Sequence, residues 1–134
     1  MQDKDSPYPT VRALSPELIE VDFGPYGEIT LEQIKYVHQK HLEFGFSGKQ
    51  GVLIRADSVI RADTDAQKFS SSPEVCKITS ACAITVNSFT ALHIGRKFLW
   101  TFRPPFPTAL FEKRNEAVTW LNYFLVQQPR ANHQ

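Results

Sequence analysis

Two short apolar runs, Val52-Leu53-Ile54 and Ala81-Cys82-Ala83-Ile84-Thr85-Val86, decide most of what this chain can become. Neither alternates with period two, and both are too short for a helix, so each suits a strand covered on both faces. Such strands occur where helices pack on either side of a parallel sheet, and the chain between the two runs carries helical signals. Parallel neighbours need long crossovers, which are right-handed because the strands twist that way. A chain of 134 residues, 42% hydrophobic and 22% charged, is large enough to bury such a sheet as one domain without metals or disulfides.

Before the first run, Val11 to Leu14, the turn Ser15-Pro16-Glu17 and Leu18 to Phe23 read as a β-hairpin that stops at Gly24-Pro25. Thr30-Leu31-Glu32-Gln33 has the form of a capping box, so a helix is predicted from about Leu31 to Gly45. Its inward stripe is Ile34, Val37, His38, His41 and Leu42. Between the apolar runs, Asp63-Thr64-Asp65 offers N-caps for a helical piece over Ala66 to Phe69, reset near Pro73 and continuing over Glu74 to Ile78. Asn87-Ser88 caps a helix from about Phe89 to Phe102, which Arg103-Pro104-Pro105-Phe106-Pro107 stops. A strand is predicted at Thr108 to Phe111, then a last helix from about Lys113 to Val126 with Ala117, Trp120, Leu121, Phe124 and Leu125 as its core stripe.

The expected class is therefore α/β: an N-terminal β-hairpin followed by β–α units, with a mixed, mostly parallel sheet covered by about four helices. One domain is expected over residues 10–126, with flexible tails at 1–9 and 127–134.

Fifteen Lys and Arg against fourteen Asp and Glu give a formal charge of +1, which is no footprint for a phosphate backbone, so no nucleic-acid partner is expected. Cys76 and Cys82 are too far apart for a Cys-x-x-Cys pair and read as free thiols of a reducing, cytoplasmic compartment. No apolar run approaches the ~20 residues of a membrane span, and Met1-Gln2-Asp3-Lys4-Asp5 lacks the order of a signal peptide. His38 and His41 stand three apart, whereas a helical zinc pair is usually spaced by four, so both read as partly buried histidines and no metal is expected. No G-x-S-x-G elbow, G-x-G-x-x-G or G-x-x-x-x-G-K-[ST] fingerprint occurs, so neither a cofactor nor catalysis is expected. The aromatic stretch Lys97 to Arg103 reads as core or interface, with Trp100 as a candidate anchor if it faces outward.

The order hairpin, helix, strand, helix, strand, helix, strand, helix over about residues 10–126 resembles the sulfate-transporter and anti-sigma-factor-antagonist (STAS) domains and the related CRAL-TRIO architecture. Ala81 to Ser88, Pro104 to Phe111 and Glu116 to Leu121 look like the corresponding stretches of a group of bacterial STAS-like proteins. The resemblance implies a non-catalytic interaction or regulatory module, homodimeric or bound to a regulatory protein. The CRAL-TRIO likeness implies an alternative, a carrier of a small apolar ligand. In phosphorylatable STAS domains an Asp-Ser-x-Gly motif opens the helix after the central strand. Asp63-Thr64-Asp65 is similar by position, with Thr64 as phosphoacceptor, although Ala66 replaces the glycine and Arg55 stands where the strand usually ends in Asp. Capping alone also explains these three residue types. The expected interface or apolar groove comprises Phe89, Leu92, Phe98, Trp100, Phe102 and Phe106.

Overall fold

The computed structural model of the protein describes residues 8–25 and 27–127. In chain order its elements are β1 (Thr10–Ser15), β2 (Leu18–Asp22), β3 (Glu28–Ile29), α1 (Leu31–Glu43), β4 (Gln50–Arg55), β5 (Arg61–Ala62), α2 (Thr64–Ser70), α3 (Pro73–Cys76), β6 (Thr79–Thr85), α4 (Phe89–Phe102), β7 (Thr108–Phe111) and α5 (Arg114–Gln127). The main sheet runs β1-β2-β4-β6-β7, and β3 pairs with β5 in a separate small ladder. β1 and β2 form the antiparallel hairpin, while β2, β4, β6 and β7 are all parallel. The two apolar runs thus lie side by side, Leu53 opposite Ala83 and Ile54 opposite Ile84.

Both faces of the central strands are covered, which is why they are continuously apolar. On one face Leu18, Leu53, Ala81 and Ala83 pack with Ala117 and Leu121 of α5. On the other, Ile19, Val21, Phe23 and Val52 pack with Ile34 of α1 and Ala66 of α2. The small residues of β6 let α5 approach, and Gly95 does the same for α4: a Cβ there would stand 2.9 Å from the Leu110 side chain.

The helix starts follow local chemistry. Thr30 Oγ1 accepts from the Gln33 N–H at 3.2 Å while Gln33 Oε1 accepts from the Thr30 N–H at 2.9 Å, the reciprocal box read in the sequence. Ser88 Oγ accepts from the Ala91 N–H at 3.0 Å. At the other end of α4, Arg103 takes up the left-handed region at φ 45° and Pro104 follows, so the helix stops there.

Four details differ from the sequence reading. Leu42 is 47% exposed. Eight residues on from Ile34, it has rotated about 80° off the stripe, whereas His41 returns to it. The helical piece after Pro73 is the single turn α3, capped by Ser72, and β6 begins at Thr79, before the apolar run itself. The β3–β5 ladder has no counterpart in the sequence reading; it is built around the Gly27 carbonyl, which accepts from the N–H groups of Ile60 and Arg61 at 2.7 and 3.0 Å. Lastly, the expected tail over residues 1–9 includes Tyr8 and Pro9, which are packed. The Tyr8 ring stacks on Tyr36 at 4.4 Å, its hydroxyl donates to Glu32 at 2.9 Å, and Pro9 is buried. Residues 1–7 and 128–134 of the expected tails lie outside the described residues. No helix among the described residues is long and apolar enough to cross a membrane.

Candidate functional site

The helix α4 separates two environments. Its inner side, with Ala91 and Gly95 buried and Ile94 and Phe98 half-buried, faces the sheet. Its outer side carries Phe89 and Trp100, 92% and 76% exposed. Eleven residues at about 100° each bring these two rings to within 20° of one helical line, about 16 Å apart. Arg96 lies on that line, His93 about 40° from Phe89 and Lys97 off to one flank, about 80° from Phe89 and 60° from Trp100; all three are exposed, and no acidic residue occurs anywhere in α4. At its end the Arg103 guanidinium sits 5.6 Å from the centre of the Trp100 ring, completing a stripe of two aromatics and interspersed cations.

Beneath α4 lies a cavity of about 140 Å³. Val52, Ile54, Cys82 and Ile84 form its floor, α1, α2 and α4 wall it, and it is partly open to solvent. Two histidines of α1 face it with different commitments. The Gln50 amide donates to the carbonyls of Pro16 and Ser47 at 3.3 and 3.4 Å, which directs its Oε1 to the His41 Nε2–H at 2.8 Å. His38 and Phe69 meet in a T-shaped pair, with ring centroids 5.5 Å apart, and His38 Nδ1 is buried without a hydrogen-bond partner. Burial lowers the pKa of both imidazoles below the ordinary histidine value, opposed at His38 by Glu74 and at His41 by the Gln50 bond. Among the described residues no three His, Cys, Asp or Glu side chains converge as metal ligands.

The six aromatic and apolar positions singled out in the sequence are therefore divided. Phe98 and Phe106 line the cavity, Phe89 and Trp100 face outward, and Leu92 and Phe102 are half-buried. Asp63, Thr64 and Asp65 open the seven-residue α2. Asp63 occupies the N-cap position in extended backbone, yet its side chain makes no capping bond, and Thr64 and Asp65 are exposed. The cysteines differ as well: burial pushes the Cys82 thiol up to about 12, an unreactive state, while Cys76 is half-buried.

One polar cluster went unread in the sequence. The Glu20 side chain, 3% exposed, accepts from Arg12 Nη2 at 2.8 Å and Arg114 Nε at 2.9 Å, with Arg55 Nη1 at 3.7 Å. Arg55 also donates to Thr85 Oγ1 and Asp57 Oδ2, both at 3.0 Å. The Arg114 hydrogen bond, aided by Arg12 and opposed by burial, holds the Glu20 carboxyl at about 2. An acid between Ile19 and Val21 in a strand is the only signal the sequence holds, because its principal partner lies 94 residues away. The cluster ties β1, β2, β4 and α5 together and reads as structure.

No curated protein matches this chain. The sequence model of a family described as a domain of unknown function, DUF7793, matches residues 14–125, from the end of β1 almost to the end of α5, and the chain belongs to that family.

Proposed function

We propose that the protein is a non-catalytic, STAS-like interaction module of regulatory type, acting in the cytoplasm, whose contact surface is the outer face of α4. The observation that carries this reading is the exposure of Phe89 and Trp100 on one helical line with cations between them. Large aromatics left in water cost solvation and are the residue type that anchors protein interfaces. The cations choose the partner. Two copies meeting face to face here would oppose Arg96 and Lys97 to their own kind, so a different protein with an acidic, apolar-pocketed surface fits better than a homodimer at this face. The STAS-like order of elements supports a binding role by analogy, and two thiols left unpaired suit a reducing compartment.

A photo-crosslinking side chain at position 96, with another at position 13 on the hairpin as control, tests the reading in cells. The expected result is an adduct with an acidic protein from position 96 alone, lost on Phe89→Asp with Trp100→Asp. That double variant should unfold within about 0.5 kcal/mol of wild type, as surface substitutions do. An adduct only between two copies of this chain, or none at all, overturns the proposal.

A further inference from the structure

Protein interiors rarely keep voids larger than a water molecule, because each unfilled volume forfeits contacts. The cavity beneath α4, partly open to solvent, is nearly the size of an engineered apolar void of ~150 Å³ that takes up benzene. It exists because the sequence supplies small side chains where helices would otherwise fill it: Ala62 and Ala66 around α2, Ala91 and Gly95 on α4, and Cys82 on the floor. Three of these are almost wholly buried, at 1% for Ala66, 2% for Ala91 and 6% for Cys82, so larger residues would have gained burial.

The chemistry of the lining narrows what can enter. It contains no Lys, Arg, Asp or Glu, so a carboxylate, phosphate or ammonium would lose its hydration without compensation. Gln67 donates to the Ala62 carbonyl, Ser70 to Ala66 and Thr108 to Phe106, so these polar groups are spent on backbone. His41 is committed to Gln50. Among the described residues, Thr79 adds a hydroxyl to the lining, and His38 Nδ1 is its one fully buried side-chain nitrogen or oxygen without a hydrogen-bond partner.

We propose that this cavity is a binding site for a small, neutral, ring-sized apolar molecule bearing one hydroxyl or N–H group, with His38 Nδ1 as its hydrogen-bond partner. A hydroxyl suits the site because it both donates and accepts, and so pairs with either tautomer of a neutral imidazole. The inference is independent of the α4 outer face: the cavity residues and the crosslinking positions are different, and either proposal can fail alone.

Phenol, toluene and benzoate, titrated against the full chain by calorimetry, are the probes. Phenol and toluene should bind and benzoate should not. Phenol should move the ¹⁵N resonance of His38 Nδ1, and toluene should leave it nearly in place, a readout that needs no variant. His38→Leu should weaken phenol about tenfold, the worth of one buried hydrogen bond, and leave toluene unchanged or tighter. Ala91→Leu or Ala66→Val, each a cavity-filling change in a chain confirmed folded by its thermal transition, should weaken both ligands at least tenfold. No phenol binding at millimolar concentration, equal weakening of phenol and toluene by His38→Leu, or undiminished binding in both filled variants would overturn the proposal.

Discussion

Glu20 stands between Ile19 and Val21, two of the most deeply buried apolar side chains, and a carboxylate there is tolerable only while cations reach it. Its folded pKa of about 2 lies below the ordinary 4.5. The stabilisation it brings is therefore complete above the ordinary value and is lost as pH falls through the folded one, in total roughly 3 kcal/mol. Glu20→Gln should lower stability at neutral pH by roughly 2–4 kcal/mol and remove most of the loss that wild type shows between pH 4.5 and 2, as measured by urea denaturation across that range. The sequence shows why Glu20 is unusual but not what satisfies it. Arg12 is its hairpin neighbour, opposite it in the β1–β2 register, whereas Arg114 arrives from the start of the last helix. His38 has the same history. Helical periodicity turns it inward, but the bare nitrogen depends on side chains of α2, α4 and the sheet that no local pattern relates to it.

At the scale of elements, what could be read was what is local. The Thr30–Gln33 box, the Ser88 cap and the proline stop after Arg103 each involve residues a few positions apart, and α1, α4 and β7 begin where the sequence places them. The β3–β5 ladder is two residues on each side with partners 33 positions apart, too short for periodicity to register. The same distinction yields a pair of expectations. Thr30→Ala removes a reciprocal hydrogen-bonded cap and should cost about 1 kcal/mol. Asp63→Ala removes a side chain at an N-cap position that makes no capping bond, and should change stability by less than about 0.5 kcal/mol. Equal losses in thermal unfolding of the two variants would mean that Asp63 caps α2 after all.

For the whole molecule, the parallel arrangement followed from the two unalternating runs, because a strand with no polar face has to be sandwiched. The cavity between the layers did not follow, since it results from small residues on four different elements, β5, α2, β6 and α4, meeting at one point. The same interior shapes the response to acid. His38 and His41 bind protons less readily when folded than the ordinary 6.5, so the unfolded chain takes up protons first and stability falls as pH drops below that value. Glu74 opposes this at His38 and the Gln50 bond at His41, and the Glu20 loss begins only below 4.5. A denaturation series should show two descending limbs, and replacing both histidines by Gln should flatten the upper one and spare the lower. The hairpin has a further consequence. It puts β1 at one margin of the sheet, where a free row of amides invites another polypeptide to extend it, and the register shift between Ala13 and Ser15 breaks that row near its end. With Pro9 just ahead and Pro16 just behind, the backbone at this margin is a poor template for fibril growth.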